Sequence, residues 1–261
     1  MTQLMGVVNV TPDSFSDGGL YLDPEAAIAH GRELAEAGAE ILDVGGESTR
    51  PGAEPVGEEE ELRRVVPVIR GLAGSGRRLS VDTSKAPVAA AALDAGAEIV
   101  NDVTALRGDP EMASLCAERG ATVVLMHMLG EPRTMQQDPR YDDVVTEVKA
   151  FLAERLEAAV TAGIDEERVW LDPGIGFGKT GAHNMELLRR LGELRKLGRP
   201  LVVGTSRKSF IGKVDGSPAD QRLGGTIASS VLAAAEGADV LRVHDVAEVR
   251  QALTVAAAIL G

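Results

Sequence analysis

Cysteine and aromatic residues are scarce in this chain of 261 residues. Its one cysteine, Cys116, has no partner for an internal disulfide, so we expect a reducing, cytoplasmic compartment. Aromatic residues make up 3% of the chain, which indicates a core built mainly from Val, Leu, Ile and Ala. The composition therefore disfavours a disulfide-stabilised secreted domain.

Positive charge is also in short supply. Lys and Arg number 27 against 40 Asp and Glu, and the net charge is -13. Such a charge disfavours general attraction to nucleic acid or to an anionic membrane surface. No stretch approaches the ~20 apolar residues of a membrane span, and no signal-peptide pattern precedes the first predicted strand. We therefore expect neither nucleic acid nor membrane as a partner.

Two kinds of site are missing from the sequence. The four His residues lack a ligand-like spacing, which argues against a zinc site. Residues 172–180 are rich in glycine, but Pro173 stands where a phosphate-binding P-loop requires Gly. Lys179 stands where the dinucleotide-binding pattern requires its third Gly. This segment is therefore predicted to be a tight loop after a strand that ends at Asp172.

What the chain does contain is a repeated junction, in which a helical segment ends at a glycine and a strand-like segment follows. Residues 36–43 and 94–101 show it most clearly, because Ala-Gly-Ala-Glu precedes an apolar run in both. A glycine at such a junction suits the left-handed position that follows a helix. The glycines predicted to occupy this position are Gly38, Gly76, Gly96, Gly120, Gly163, Gly198 and Gly237.

Seven such junctions, in a chain that begins on a strand, imply eight strands. Residues 142–162 and 183–197 have the three-to-four spacing of amphipathic helices. Ser217 and Pro218 are typical of a helix start, and a last helix is predicted over residues 247–260. We predict an α/β fold, a (β/α)8 TIM barrel forming a single domain over residues 1–261. A doubly wound open sheet is the alternative, but eight even units favour closure.

Nearly every predicted strand ends in a polar side chain, and in this fold ligands lie at those ends. The strand-end residues are Asn9, Asp43, Asp82, Asn101, His127, Asp172, Ser206 to Lys208, Arg242 and His244. For Asp43 and Asp102, capping of the following helix is as good an interpretation as a role in a site. Arg242 lies inside an apolar strand, so it requires an anion from the protein or from a ligand.

Three polar loops accompany these strand ends. The first follows Asn9 and contains Phe15, the second has Arg50 at its tip, and the third contains Arg207 and Lys208. Cations in so acidic a chain favour a phosphate partner, whereas a solvated turn or a surface basic pair is the alternative. The carbonyl oxygen of Asn9 could help to hold a hard cation together with phosphate oxygens and water.

Taken together, these motifs resemble the bacterial dihydropteroate synthase family. The resemblance is carried, in the order of that family, by residues 8–19, 43–52, 80–83, 100–103, 125–128, 172–179, 206–209 and 242–246. Each motif alone is weak, but eight in order over nearly the whole chain are specific. The resemblance implies condensation of 4-aminobenzoate with 6-hydroxymethyl-7,8-dihydropterin diphosphate, which yields 7,8-dihydropteroate and pyrophosphate.

The resemblance also assigns roles by motif. The residues implied for the pterin are Asp82, Asn101, Met126, Asp172 and Lys208. Those implied for the diphosphate are Asn9, Arg50, Arg242 and His244, with Mg²⁺ as cofactor held by Asn9. The residues implied for 4-aminobenzoate and the loops around it are Phe15, Thr49, Arg50, Pro51, Phe177 and Ser206, with Lys208 beside them. The chemistry itself is expected of Asp82, Lys208, Arg242 and His244.

Two alternatives share part of this pattern. A corrinoid-linked methyltetrahydrofolate methyltransferase would share Asp82, Asn101 and Asp172, but it has no need of a diphosphate grip at Arg242 and His244. A non-catalytic pterin-binding paralogue would have lost strand-end residues, and none is lost here. The synthase is therefore favoured, and the resemblance suggests a homodimer.

Overall fold

Eight parallel strands form the centre of the molecule. The computed structural model describes residues 2–11, 23–48, 53–130 and 134–261. The strands are β1 (Gln3–Asn9), β2 (Ile41–Gly45), β3 (Arg78–Asp82), β4 (Ile99–Asp102), β5 (Thr122–Met126), β6 (Val169–Asp172), β7 (Val202–Val203) and β8 (Val240–Val243). Their order in the sheet is β6-β5-β4-β3-β2-β1-β8-β7, and a parallel bridge between Leu171 and Leu201 joins the two edges. This arrangement is the predicted (β/α)8 barrel.

Helices alternate with the strands. They are α1 (Pro24–Glu36), α2 (Glu58–Leu72), α3 (Ala86–Asp94), α4 (Met112–Arg119), α5 (Val144–Thr161), α6 (Gly181–Arg189), α7 (Ser209–Asp215), α8 (Leu223–Ala235) and α9 (Val246–Leu260). All seven glycines predicted at helix-to-strand junctions have positive φ, from 60° at Gly120 to 115° at Gly96. The left-handed conformation at these positions turns each chain segment back towards the barrel.

Two predicted helices are wrong in detail. The segment 183–197 divides at Arg190 into α6 and a 3₁₀ segment, Leu191–Leu197. The tighter turn keeps Leu191 and Leu194, three residues apart, together in the core. Ser217 does not cap a helix, because its hydroxyl donates to Asp215 Oδ1 at 2.6 Å and only the 3₁₀ turn Ala219–Gln221 follows.

The last helix has nearly the predicted bounds, but its end is exposed. Val249 and Leu253 pack into the core as expected, whereas Leu260 is 73% exposed. Within the ranges that could be described, no helix combines the length and apolar character that crossing a membrane requires.

The interior of the barrel changes character along the strands. At the amino end an apolar cluster fills the interior, formed by Met5, Ile41, Ile99, Val124, Trp170, Val202 and Val240. Alternate residues of a strand point to the same face, so the next inward residue lies two positions further on. On β4, β6 and β8 these next residues are Asn101, Asp172 and Arg242. The inward side chains at the carboxyl end of the barrel are therefore polar, and they surround one opening.

Candidate active site

The carboxyl ends of the strands surround a pocket that opens into a cleft of about 640 Å³. Nine of the predicted site residues line the pocket: Asp82, Asn101, Met126, Asp172, Phe177, Ser206, Lys208, Arg242 and His244. Asn9 ends β1 and lines the outer cleft, together with Arg242 and His244. Residues from seven strands or the loops that follow them thus converge, although the chain separates the first and the last by more than 230 positions.

Arg242 joins two carboxylates at the carboxyl end of the barrel and lines both the pocket and the outer cleft. Its Nε donates to Asp43 Oδ2 at 2.6 Å, and a terminal nitrogen donates to Asp82 Oδ2 at 2.8 Å. Burial alone would lower the pKa of Arg242, but the two carboxylates outweigh burial and hold that pKa above its ordinary value. The anion that the sequence demanded for Arg242 is therefore supplied by the protein.

Asp43 belongs to the site and not to a helix cap. It is fully buried, and its Oδ2 also accepts a hydrogen bond from Asn101 Nδ2 at 3.1 Å. Asp43 thus connects Asn101 with Arg242 from beneath the pocket. The two alternatives left open for Asp43 were helix capping and a place in the site, and these contacts support a place in the site.

Asp82 has an unusual protonation equilibrium. Burial, together with the nearby negative charges of Asp43, Glu61 and Asp102, raises its pKa to about 7 against the opposing effect of Arg242. The carboxyl group can therefore gain or lose a proton close to neutral pH, and its charge is sensitive to its neighbours.

Asp172 and Lys208 lie on the opposite wall. Asp172 accepts a hydrogen bond from the Gly174 N–H at 2.7 Å, and burial raises its pKa in spite of that bond and the charge of Lys208. The Lys208 ammonium lies 4.1 Å from the centroid of the Phe177 ring. This contact brings the loop after β6 against the loop after β7.

An apolar wall completes the pocket. Met126 packs with Val103, Met128 and Met135, and Phe177 packs against this cluster. Sequence reasoning identified Met126 and Phe177 through the family resemblance but missed Val103 and Met135. Val103 could have been found two residues after Asn101, on the same inward face. No sequence signal identifies Met135, which comes from the irregular segment before α5.

The two loops after β7 and β8 are tied together. Ser206 Oγ lies 3.0 Å from His244 Nδ1 and accepts a hydrogen bond from the His244 N–H at 3.2 Å. Arg207 forms a two-pronged ion pair with Asp245, and its backbone has the left-handed φ of 56°. The two cations of this loop therefore diverge. Arg207 pairs at the surface, as the alternative interpretation held, and Lys208 turns into the pocket.

Two strand-end side chains face away from the pocket. His127 follows the inward Met126 and Asp102 follows the inward Asn101, so both point to the outer face of the sheet. Asp102 accepts from the N–H groups of Thr104 and Leu106, which shapes a local turn and caps no helix. His127 is therefore a polar strand end outside the pocket, and Asp102 fulfils neither of the two alternatives left open for it, helix capping or a place in the pocket.

Four of the predicted site residues, Phe15, Thr49, Arg50 and Pro51, lie outside the described residues. The predicted Mg²⁺ site rests on Asn9. Among the residues that are described, no cluster of three or more His, Cys, Asp or Glu side chains could hold a metal ion. Asn9 alone fits Mg²⁺ as a minor ligand, because Mg²⁺ keeps several waters and takes other ligands from substrate phosphates. Its position in the outer cleft beside Arg242 and His244 suits that chemistry.

Comparison with known proteins shows which family this chain belongs to. Residues 5–244 match the family described as "Pterin binding enzyme". The chain is 48% identical over 259 residues to the dihydropteroate synthase of Escherichia coli strain K12, covering 99% of this chain and 92% of that protein. A Haloferax volcanii protein, a probable bifunctional folylpolyglutamate synthase/dihydropteroate synthase, is 50% identical over 257 residues. Those residues are 98% of this chain but only 30% of the longer protein.

Two solved structures of Xanthomonas albilineans dihydropteroate synthase are similar along the whole chain. The structure with 4-aminobenzoic acid is 53% identical, with a TM-score of 0.94, and the match covers 100% of this chain and 93% of that one. The structure with 7,8-dihydropteroate is 50% identical, with a TM-score of 0.90, and the match covers 100% and 94%.

Proposed function

Because the chain belongs to the pterin-binding enzymes and, among them, to the dihydropteroate synthases, we propose how its site residues divide the work of that reaction. The enzyme is a transferase that condenses 4-aminobenzoate with 6-hydroxymethyl-7,8-dihydropterin diphosphate, forming 7,8-dihydropteroate and pyrophosphate. The observation that carries the assignment of roles is the convergence of Asp82, Asn101, Asp172, Lys208 and Arg242 on one pocket. The match to synthases over nearly the whole chain favours this reaction over a methyltransferase or a non-catalytic paralogue.

The pterin subsite lies deepest. A pterin presents a row of amide and amidine donors and acceptors, which Asp82, Asn101 and Asp172 match with carboxylate and amide groups. Met126 supplies an apolar face to the fused ring, and Lys208 supplies a donor. Each hydrogen bond to a charged group contributes about 1.5–3 kcal/mol, so a few of them hold the ring in one orientation.

The diphosphate subsite lies above it, where Arg242 and His244 reach the outer cleft beside Asn9. Arg50 belongs to this group by motif and lies outside the described residues. Arg242 remains a donor to the leaving group while it is paired with Asp43 and Asp82, because a guanidinium has five N–H donors. Mg²⁺, held by Asn9 and the substrate, would neutralise negative charge on the diphosphate.

The 4-aminobenzoate subsite is formed by Phe177, Ser206 and Lys208, at the junction of the pocket and the cleft. Phe15, Thr49, Arg50 and Pro51 complete it by motif. The contact between Lys208 and the Phe177 ring gives this subsite an aromatic surface and a cation side by side. Such a surface suits a flat aromatic carboxylate.

The chemical step follows from these positions. The bond between the pterin methylene carbon and the diphosphate oxygen breaks first, and the electron pair leaves with pyrophosphate. Arg242 and His244 stabilise the developing negative charge, while ionised Asp82 stabilises the cation-like methylene. The amine nitrogen of 4-aminobenzoate then bonds to that carbon and releases one proton to solvent.

We also expect a homodimer in the cytoplasm. Apolar side chains are exposed on the adjacent helices α8 and α9, where Leu232 is 63% exposed and Ile259 is 77% exposed. Large exposed apolar side chains on neighbouring helices are candidates for an interaction surface. Sedimentation analysis should give a dimer, and Leu232→Glu should shift it towards a monomer. A wild-type monomer at micromolar concentration would contradict the proposal.

The decisive experiment measures pyrophosphate release from the dihydropterin diphosphate with Mg²⁺, with and without 4-aminobenzoate. We expect release to increase with 4-aminobenzoate and to match dihydropteroate formation mole for mole. Slow release without 4-aminobenzoate would support bond cleavage before attack. Tight pterin binding with no release under either condition would instead indicate a non-catalytic pterin-binding protein.

A further inference from the structure

A lysine with no part in the roles above is buried behind the pocket. Lys179 follows the segment 173–178, which we call the Phe177 loop, and its side chain is among the most buried of the described residues, at 1% exposure. Its Nζ donates to the carbonyl oxygens of Phe177 at 2.9 Å, Gly174 at 3.0 Å and His127 at 3.3 Å. It also lies 2.8 Å from His127 Nδ1.

The partners of this ammonium are neutral. Burial and the nearby charge of Lys179 together lower the pKa of His127 to about 3, so the imidazole is uncharged at neutral pH. Its Nδ1 then accepts a hydrogen bond from the ammonium. Burial also lowers the pKa of Lys179 itself to about 7, against the attraction of Asp172. A buried amine needs hydrogen-bond partners, and the three carbonyl oxygens and His127 supply them to Lys179.

The Phe177 loop rests directly on the end of β5. Gly174 has a φ of 66°, and a Cβ at this position would lie 1.9 Å from the His127 carbonyl oxygen. Asn184 and Gln136 hold the N–H and the carbonyl of Gly176, at 2.7 Å and 2.6 Å. These two contacts fix the middle of the loop, whereas Lys179 bonds both of its flanks and joins them to β5.

The loop in turn sets the position of the Phe177 ring. The ring packs on the apolar cluster around Met126 and lies against the Lys208 ammonium. Gly176 is equally close to Lys208, because a Cβ there would lie 3.2 Å from its side chain. A shift of the loop would therefore move the wall shared by Phe177 and Lys208.

We propose that Lys179 is a positioning residue for the 4-aminobenzoate subsite, and that it acts by bonding the Phe177 loop to His127 at the end of β5. This inference rests on the proposed role of Phe177 in binding 4-aminobenzoate. In the pterin diphosphate subsite, Asp82, Asn101 and Arg242 are held by their own strands and by Asp43. Asp172, Lys208 and Met126 of that subsite touch the Phe177 loop, but Asp172 and Met126 are themselves part of strands, so the subsite should depend on Lys179 much less than the 4-aminobenzoate subsite does.

The test compares Lys179→Met with the matched control Lys196→Met, which changes an exposed lysine. Methionine keeps most of the side-chain length and removes the donors. We expect KM for 4-aminobenzoate to rise on the order of tenfold in Lys179→Met, with the dissociation constant of the pterin diphosphate changing less than about twofold. The control should match the wild type in both. A fall in pterin diphosphate affinity by the same factor as the rise in KM would overturn the proposal, as would an unchanged KM.

A double-mutant cycle identifies the route of the effect. Phe177→Ala should raise KM for 4-aminobenzoate, and adding Lys179→Met should raise it little further, because Lys179 acts through that ring. Independent, multiplying effects would contradict this route. If Phe177→Ala leaves KM unchanged while the wild type still forms dihydropteroate, both the role of Phe177 and the inference about Lys179 fail, although the reaction stands.

A second variant covers the case in which Lys179→Met does not fold. Lys179→Gln retains an amide donor of shorter reach, and we expect a smaller rise in KM for 4-aminobenzoate with the same selectivity over the pterin diphosphate. An equal loss for both substrates in Lys179→Gln would indicate general disorder and would overturn the proposal.

Discussion

The two ends of the barrel interior use the same strands with opposite chemistry. On β4, Ile99 belongs to the apolar cluster at the amino end, and Asn101 lines the pocket two positions later. On β6, Trp170 is followed in the same way by Asp172. Two residues along the strand, about 7 Å, separate the apolar cluster at the amino end from the polar pocket at the carboxyl end.

The energetics of the two ends differ accordingly. Each large apolar side chain buried at the amino end stabilises the fold by about 1.5–3 kcal/mol. At the carboxyl end Asp43, Asp82 and Arg242 are taken out of water, and their mutual attraction offsets much of that desolvation. Substitutions at one end should therefore change mainly stability, and those at the other end mainly catalysis.

The largest effect is expected for Asp82→Asn at the carboxyl end. The variant should keep its circular dichroism spectrum and still melt in one cooperative transition, while pyrophosphate release slows on the order of 10³-fold, because the cation-like methylene loses its counter-charge. Single-turnover release of pyrophosphate measures this step. Turnover close to that of the wild type would remove Asp82 from the mechanism.

At the amino end, Ile99→Ala should have the reverse effect. The free energy of unfolding should fall by about 3 kcal/mol, because a cavity opens in the apolar cluster. Urea denaturation measures the loss, and kcat per folded molecule should stay within about twofold. Ile99→Val serves as the matched control, with an expected loss of about 1 kcal/mol. A drop in kcat at full folding would show that the two ends are not independent.

Asp43→Asn tests the ion pair between the buried Asp43 and Arg242 in the pocket. Arg242 would lose its shorter ion pair while it keeps Asp82, so its guanidinium should be held less firmly. We expect kcat/KM for the pterin diphosphate to fall about 10- to 100-fold, equivalent to about 1.5–3 kcal/mol. An unchanged value would assign Asp43 to stability alone.

The protonation of Asp82 gives a smaller, pH-dependent effect. Catalysis requires its ionised form, so kcat/KM for the pterin diphosphate should rise with pH through about 7 and then level off. Asp43→Asn removes a negative neighbour, so the midpoint of this rise should move to lower pH. A midpoint that moves upwards would contradict the assigned cause.

The raised pKa of Asp82 also makes the stability of the fold depend on pH. Stability should fall over the pH range in which kcat/KM rises. The folded-state pKa of Asp82 is above its ordinary value, so the stability associated with its protonated form is fully present below about pH 4 and is lost as pH rises through about 7. The free energy of unfolding of the wild type, measured against Asp82→Asn, should therefore decline over this range.

The smallest effect is expected at the amino rim. The Arg78 guanidinium lies 5.1 Å from the centre of the Trp170 ring, and this cation–π contact contributes about 0.5–1 kcal/mol. Arg78→Met should lower the free energy of unfolding by about that amount and leave kcat unchanged. A measurable change in kcat would contradict the expectation, because it would show that this contact at the amino end affects catalysis at the carboxyl end.

Much of the architecture could be predicted because it depends on local physics. A glycine at the end of a helix adopts positive φ at little cost, and all seven do so, so the seven junctions, and with them eight strands, could be predicted from nearby residues. The predictions failed where another contact, either with a nearby side chain or with the core, outweighed the preference read from the sequence. Ser217 has the features of a helix cap, but Asp215 takes its hydroxyl. The helix over residues 183–197 breaks so that Leu191 and Leu194 can both reach the core.

The candidate site divides in the same way. The polar strand ends and the family motifs predicted the residues that line the pocket, and strand alternation explains why His127 and Asp102 do not. The pairing of Arg242 with Asp43 joins residues 199 positions apart, and no local pattern predicts it. The same holds for Lys179 and His127, and for Met135 in the pocket wall.

The sequence by itself determined the number of strands, the order of the elements and the residue types at the carboxyl ends, because each depends on a few neighbouring residues. Only the tertiary structure decided which charges meet across the barrel and which lysine reaches the site. Pairing of β8 with β1 places β8 near β2 and β3 in the curved sheet, and this long-range pairing determines which carboxylates share Arg242.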